Sequence, residues 1–230
     1  MNLLLTLDEN YLLPCKVMLY SFFANNSGEN DVTIYLLHSN ISTEKLDELS
    51  NYCSTFGAVL KPISVDASLF ENAPTNKRYP KEMYYRLLSP LILPQELDRV
   101  LYLDPDILII NSLRPLWEMN LYGKTFAAAS HTGLTEMANG INQMRLDTSH
   151  EYFNSGVMLI DLNDARNYPK YLVRSTGKHD LNWVMQNTAV LHFCGKNKPW
   201  REEYKNPFGI LYLHYMNLTM RKLYEKFKND

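Results

Sequence analysis

Cysteine, basic charge and long apolar runs are all scarce in this chain, and each scarcity removes a class of function. Only three cysteines occur in 230 residues (Cys15, Cys53 and Cys194), far apart, with no Cys-x-x-Cys pair and no zinc spacing. Neither a disulfide framework nor a structural zinc site is expected, and the thiols read as reduced and idle. Twenty-three Lys and Arg against 25 Asp and Glu give a net charge of −2, so no global basic field argues for nucleic acid. No apolar run approaches the ~20 residues that a membrane-spanning helix needs. The opening Met-Asn-Leu-Leu-Leu-Thr-Leu-Asp lacks a basic leader and turns acidic too soon for a secretory signal, so a cytoplasmic protein is expected. No internal repeat, low-complexity tract or glycine-rich linker divides the chain.

What is present is an ample apolar share, 46% of residues, enough for one large core. The reading is one domain over residues 1–215 with a C-terminal helix over 216–230. Strand and helix patterns alternate. Residues 2–7, 31–38 and 58–65 read as strands, with helices over about 11–24, where Pro14 suits the first turn, and after Ser42, a fair N-cap. In the second helix Leu46, Leu49, Cys53 and Phe56 recur at spacings of three and four. A helix over 81–91, with Tyr84, Leu87, Leu88 and Leu91 on one face, precedes a strand over 99–110. Further strands are expected at 125–130, 152–161 and 189–194, and the polar stretch 133–150 suits a lid. Alternation of this kind predicts an α/β fold, a mainly parallel sheet flanked by helices. Ligands of such sheets sit beyond the carboxyl ends of the strands, which here gathers Asp8, Asp104, Asp106 and the 192–198 turn into one crevice.

The most informative segment is Arg99-Val-Leu-Tyr-Leu-Asp-Pro-Asp-Ile-Leu-Ile-Ile110. Two carboxylates two residues apart share a face of an extended chain, and burying them among apolar neighbours calls for a compensating cation. The alternative is a sheet-to-loop corner with an Asx-turn. A second segment, His192-Phe-Cys-Gly-Lys-Asn-Lys-Pro-Trp200, sets an imidazole before a glycine turn and two lysines. Glycine lets backbone amides approach an anion, and lysine supplies a point charge for phosphate. Two carboxylates and one imidazole make an O,O,N donor set suited to Mn²⁺, and less well to Mg²⁺. At the first strand-to-helix turn, Asp8 and Asn10 can pair with a base edge and Tyr11 offers a stacking face; helix capping explains the same residues equally well. Asn154 and Ser155, in Tyr152-Phe-Asn-Ser-Gly-Val-Met-Leu-Ile-Asp161, either face a sugar or form a turn before the strand. Arg86 interrupts an apolar-aromatic helix face and reads as a buried partner for an aspartate or as a ligand clamp.

Together these segments resemble glycosyltransferase family 8, the retaining GT-A enzymes that include bacterial lipopolysaccharide galactosyl- and glucosyltransferases. The match runs through Leu5-Thr-Leu-Asp-Glu-Asn-Tyr11, Tyr85-Arg86-Leu87, Arg99 to Asp106, Tyr152 to Ile160, and His192 to Trp200. The resemblance implies that Asp104, Asp106 and His192 hold Mn²⁺ on the diphosphate of a UDP-sugar, which Gly195 and Lys198 also contact. It implies that Thr6, Asp8, Asn10 and Tyr11 hold uridine, and that Arg86, Asn154 and Ser155 line the donor-sugar and ribose region. The expected activity is transfer of a hexose from UDP-glucose or UDP-galactose, with retention, to a hydroxyl of a cell-surface glycan or lipid-linked saccharide.

One departure stands out. The family carries a longer segment after its Asn-Ser-Gly strand, with an Asp-Gln-Asp motif that touches the donor sugar. Here Asp161-Leu-Asn-Asp-Ala-Arg-Asn167 leads almost directly into Tyr168, and some tens of residues are missing around Asn163. Either the chain is a shortened variant or a segment is left out of the sequence as read; the intact flanks favour the second. A shortened variant raises a rival reading, a non-catalytic UDP-binding module. Other enzyme classes fit less well. Leu108 stands where an Asp-x-Asp-x-Thr phosphohydrolase needs Thr, and Asp8-Glu9-Asn10 is acidic where a nucleotidyltransferase needs a basic, glycine-rich loop. At the C-terminus Met216, Met220, Leu223, Tyr224 and Phe227 share a helical face opposite Arg221, Lys222, Lys226 and Lys228. Such a helix either packs on the sheet or rests on the inner face of an anionic membrane.

Overall fold

The computed structural model describes residues 1–70, 81–130, 153–167, 190–192, 198–201, 203–204 and 209–229. Its centre is a six-stranded sheet in the order β3-β2-β1-β4-β7-β6. β1 (Asn2–Thr6), β2 (Thr33–His38), β3 (Val59–Ser64) and β4 (Arg99–Leu103) run parallel. β7 (Phe153–Asp161) and β6 (Phe126–Ser130) run antiparallel to them. The sheet is therefore mixed and mainly parallel, with helices on its faces.

The strands are apolar on both sides because both sides are covered. Leu3, Leu5, Leu101 and Leu103 point into one core with Cys15, Met18 and Phe22 of α1 (Leu12–Asn25) and Leu49, Tyr52 and Cys53 of α2 (Thr43–Ser54). Leu4, Tyr35, Leu37, Val100, Tyr102, Met158 and Ile160 fill the opposite core. Burial pushes the Cys15 and Cys53 thiols up, Cys53 to about 12, so both stay protonated and unreactive. Cys194 lies outside the described residues.

Several sequence expectations are revised. The helix expected over 81–91 is three short pieces: α3 (Glu82–Tyr85), a 3₁₀ turn at Arg86–Leu88, and α4 (Ser89–Ile92). Pro90 offers no N–H to the carbonyl of Arg86, which is bonded by Ser89 instead. Leu87 and Leu91 are exposed, and Tyr85 and Ser89 are buried. The strand expected over 99–110 is also split. β4 ends at Leu103, the Asp-Pro-Asp triplet turns, and β5 (Ile107–Ile109) pairs with β8 (Val190–His192) in a separate two-stranded sheet. Proline cannot donate to a ladder, so the chain changes sheets at Pro105. The two acids thus stand at a corner rather than along one extended strand.

Ser42 occupies the N-cap position of α2 but its hydroxyl caps nothing; its N–H instead donates to Glu9 Oε1 at 3.0 Å. Residues 71–80 and the expected lid over 133–150 lie outside the described residues. After the short α5 (Arg114–Trp117), backbone runs without a break from β7 into α6 (Leu162–Asn167). Leu162 N–H donates to Asp98 O, Thr125 Oγ1 bonds Asp164 Oδ2, and Asn163 Nδ2 donates to Asp98 Oδ1. The short connection is a hydrogen-bonded junction. Arg166 fastens it further by donating to the carbonyls of Pro90, Pro94, Gln95 and Leu97 at 2.8–3.2 Å.

The last helix, α7 (Gly209–Asn229), starts seven residues before the expected boundary at 216. It packs on α1, burying Tyr212 and Thr219. Leu223 contacts the core and the Lys222 ammonium lies 3.4 Å from the centre of the Phe56 ring. Met220 and Tyr224, two members of the expected apolar face, are exposed. Among the described residues, no helix is long and apolar enough to cross a membrane.

Candidate active site

The carboxyl ends of β1 and β4 and the Lys198–Arg201 segment meet at one corner of the sheet. Period-two alternation along β4 puts Tyr102 and Asp104 on the same side, and the Tyr102 hydroxyl donates to Asp104 Oδ1. The same hydroxyl lies 3.2 Å from Thr6 Oγ1 at the end of β1. Tyr102 is fully buried. Burial first, and the Asp104 charge next, hold its phenol well above the usual range, so it stays a proton donor.

Arg86 closes over this pair. Its guanidinium sits 4.3 Å from the centre of the Tyr102 ring, and Nη2 lies 3.5 Å from Asp104 Oδ1. Nη1 donates to Ser155 O at 2.6 Å and more weakly to Ser155 Oγ at 3.4 Å, while Nε donates to Met83 O at 2.7 Å. The fixed fork of arginine lets one side chain tie three segments together. The aspartate partner expected for Arg86 is formed with Asp104. Asp104 is also pinned through its backbone, its N–H donating to Gly156 O at 2.7 Å. Gly156 itself lies in the register break between β6 and β7, where Ala129 faces Asn154 although Ala128 faces Met158. Asn154 turns back on its own strand, its Oδ1 accepting from Gly156 N–H at 2.9 Å. Asn154 and Ser155 nonetheless lie inside β7, which starts at Phe153, rather than in a turn before the strand.

Asp106 is buried and takes a different cation: Lys198 Nζ pairs with its Oδ2. A buried carboxylate is tolerated where a cation meets it, and Lys198, itself only 14% exposed, supplies one. Next to it, Trp200 meets Tyr11 edge-on at 6.0 Å between centroids, and meets Tyr212 of α7 at 5.4 Å. The Asp106 charge reaches both tyrosines. Burial and then Asp106 and Asp8 raise the Tyr11 phenol, with Arg201 opposing; burial and then Asp106 raise Tyr212. Asp8, Asp104 and Asp106 thus share one electrostatic neighbourhood around Tyr11. Asp8 caps the short 3₁₀ turn Glu9–Tyr11, accepting from Asn10 N–H at 2.9 Å and from Asn10 Nδ2 at 3.0 Å, so capping accounts for the contacts of this pair. The backbone of His192 faces Ile107, one residue beyond Asp106. Gly195 lies outside the described residues.

The corner joins two hard carboxylate donors with two cationic side chains and an aromatic wall. Among the described residues, no group of three or more His, Cys, Asp or Glu side chains gathers as a metal site; Asp104 and Asp106 make a pair. The donor types nonetheless fit a divalent ion. Each acid is already matched by positive charge, from Arg86 and from Lys198, which shows that the corner demands it. The strand register brings the His192 backbone beside Asp106. Sequence reasoning assigned no role to Tyr102 or Tyr212. The signal for Tyr102 was its place two residues before Asp104 in a strand; Tyr212 carried none.

A mainly parallel sheet with two acids at the carboxyl end of a central strand defines the GT-A class of fold. The solved structure of a galactosyltransferase, LgtC, in complex with donor and acceptor sugar analogs superposes with a TM-score of 0.79 over 94% of this chain and 95% of that one, at 20% identity. The model of glycosyl transferase family 8 matches residues 2–168, and the chain belongs to that family of enzymes. General stress protein A of Bacillus subtilis is 25% identical over 95% of this chain and 94% of its own length. A lipopolysaccharide 1,2-glucosyltransferase of Escherichia coli is 28% identical over 69% of this chain, which spans only 46% of that relative. The alignment with General stress protein A is 271 positions long. Because it takes in 95% of a 230-residue chain, roughly fifty of those positions have no counterpart here.

Proposed function

We propose that the chain is a metal-dependent, retaining hexosyltransferase. It would move glucose or galactose from a UDP-sugar to a hydroxyl of a cell-surface glycan or lipid-linked saccharide. One observation carries this reading: in a family 8 chain, the two acids that end β4 are gripped by cations from separate segments, Arg86 on Asp104 and Lys198 on Asp106. Such a mixed-charge corner suits a ligand that is itself mixed, a diphosphate carrying a divalent cation.

In this reading Asp104, Asp106 and His192 hold the Mn²⁺, or Mg²⁺ less well, and Gly195 and Lys198 contact the diphosphate. Thr6, Asp8, Asn10 and Tyr11 take the uridine. Arg86, Asn154 and Ser155 border the sugar and ribose. The bound ion supplies Lewis acidity toward the diphosphate oxygens. Lys198 and neighbouring backbone amides stabilise the negative charge left on UDP as the bond to the sugar breaks, where electrostatic preorganisation counts most. A glucosyl and a galactosyl donor are both retained as candidates because the named relatives include a glucosyltransferase and a galactosyltransferase. A cytoplasmic enzyme is inferred, working at the inner face of the membrane. There the exposed Ile210, Leu213, Met220 and Tyr224 of α7, with Arg221 beside them, would rest on anionic lipid.

The gap of roughly fifty positions against General stress protein A favours a second reading, a UDP-binding module that has lost its sugar-contacting segment. One experiment separates the two. The protein is incubated with UDP-glucose and with UDP-galactose in Mn²⁺, and UDP release is followed, for the wild type and for Asp106→Asn. Turnover of one donor that Asp106→Asn abolishes supports the transferase. UDP affinity with no turnover of either donor supports the binding module, and turnover undiminished in Asp106→Asn refutes the metal assignment.

A further inference from the structure

We propose that Tyr102 is the positioning residue of the metal site, fixing the orientation of the Asp104 carboxylate and coupling it to β1. This rests on the reading of Asp104 as a metal ligand. Tyr102 occupies a central strand between β1 and β7, opposite Leu4 on one side and Met158 on the other. Its ring is locked by Leu4, Val100, Met158 and Ile160, so its hydroxyl has one place to go. That place is occupied by Asp104 Oδ1 and Thr6 Oγ1.

Packing alone does not ask for a hydroxyl there. Phenylalanine would fill the same volume without a buried polar atom, and a buried O–H is costly unless it is matched. The match is made to the one carboxylate on its own strand face. The Arg86 guanidinium lies over the same ring and addresses the same oxygen, so a single aromatic side chain sets both the carboxylate and the cation beside it. Thr6, reached from the other side of the hydroxyl, ends the strand that leads to Asp8, Asn10 and Tyr11. Any ion held by Asp104 is thereby tied to the segment assigned to the nucleoside. Partners that orient metal ligands are worth about 10–100-fold in metal affinity when removed.

The test is Tyr102→Phe in the full chain, with free Mn²⁺ followed by electron paramagnetic resonance during titration in the presence of UDP. The expected result is Mn²⁺ binding at least about tenfold weaker, with UDP affinity in EDTA unchanged. In an Asp104→Asn background the same substitution should add nothing, because Tyr102 acts through that carboxylate. Mn²⁺ affinity within about twofold of wild type in Tyr102→Phe overturns the proposal, as do equal losses in metal-free UDP binding, which mark general damage to the fold. Should Tyr102→Phe fail to fold, Thr6→Val decides, titrated with inorganic pyrophosphate in place of UDP because Thr6 is assigned to the uridine: Mn²⁺ binding about threefold weaker supports the coupling, and unchanged binding overturns it. A wild-type protein that binds no Mn²⁺ with UDP defeats the underlying metal assignment instead, which keeps the two failures apart.

Discussion

Replacing Arg86 by lysine keeps the charge and removes the geometry, and so isolates what the fork does. The guanidinium spans Met83 O at 2.7 Å, Ser155 O at 2.6 Å, Asp104 Oδ1 at 3.5 Å and the Tyr102 ring at 4.3 Å. A lysine ammonium concentrates its three donors at one point and cannot reach the Met83 carbonyl and the carboxylate together. At least one charge-assisted bond is lost, at about 1.5–3 kcal/mol, and part of the stacking on a desolvated ring, at about 0.5–1 kcal/mol. The Arg86 side chain is 10% exposed and that of Asp104 20%, so solvent screening removes little of this. The sum is about 2–4 kcal/mol, which for a domain of this size lowers Tm by about 4–16 °C. Thermal melting followed by circular dichroism measures it, and donor turnover in the same preparation should fall at least about tenfold. A Tm within about 1 °C of wild type, with normal turnover, would refute the view that Arg86 knits α3, β4 and β7 into the site.

Three further outcomes are expected. Arg166→Ala removes four carbonyl contacts that hold α6 against residues 90–97 and should cost about 2–4 kcal/mol in urea denaturation; a cost below about 0.5 kcal/mol would show the junction stands without it. His38 is buried, its Nδ1 accepts from Ile41 N–H, and burial lowers its pKa below 6.5. The unfolded chain therefore binds the proton first as pH falls, so this contribution is intact above pH ~6.5 and lost below it. Tm should drop between pH 7.5 and 5.5 by less in His38→Gln than in wild type, and equal drops would dismiss the assignment. Lys198→Ala should weaken UDP binding in Mn²⁺ about tenfold by calorimetry, since a point charge on the diphosphate is lost; unchanged affinity would place Lys198 outside the ligand's reach.

The sheet was legible because its strands obey simple rules. Residues 2–7, 31–38 and 58–65 are short apolar runs between turn signals, and each became a parallel strand within two residues of the expected ends. Breaks were harder to read. Pro90 and Pro105 each ended an element that its apolar neighbours would have continued, and local periodicity does not weigh one missing N–H against a favourable pattern. The C-terminal helix was foreseen but rotated, because Met220 and Tyr224 look like core residues while Thr219 and Lys222 do not. Burying Thr219 depends on its hydroxyl bonding Tyr215 O at 2.8 Å, and Lys222 is turned inward by the Phe56 ring. The Thr219 partner is one turn back in the same helix, whereas the Phe56 ring is not visible from the helix itself. In the site, the i and i+2 relation of Tyr102 and Asp104 was readable in principle. The approach of Arg86 and Lys198, 18 and 92 residues from their respective acids, is a product of the fold alone.

On the proposed function, Asp104 and Asp106 bind a divalent ion together with the pyrophosphate of a uridine nucleotide. The most direct test is UDP titration by calorimetry, once in Mn²⁺ and once after EDTA. Chelation should weaken UDP binding at least about tenfold, and Asp106→Asn should show the weak value in both buffers. Equal UDP affinity with and without the metal in the wild-type protein would contradict it.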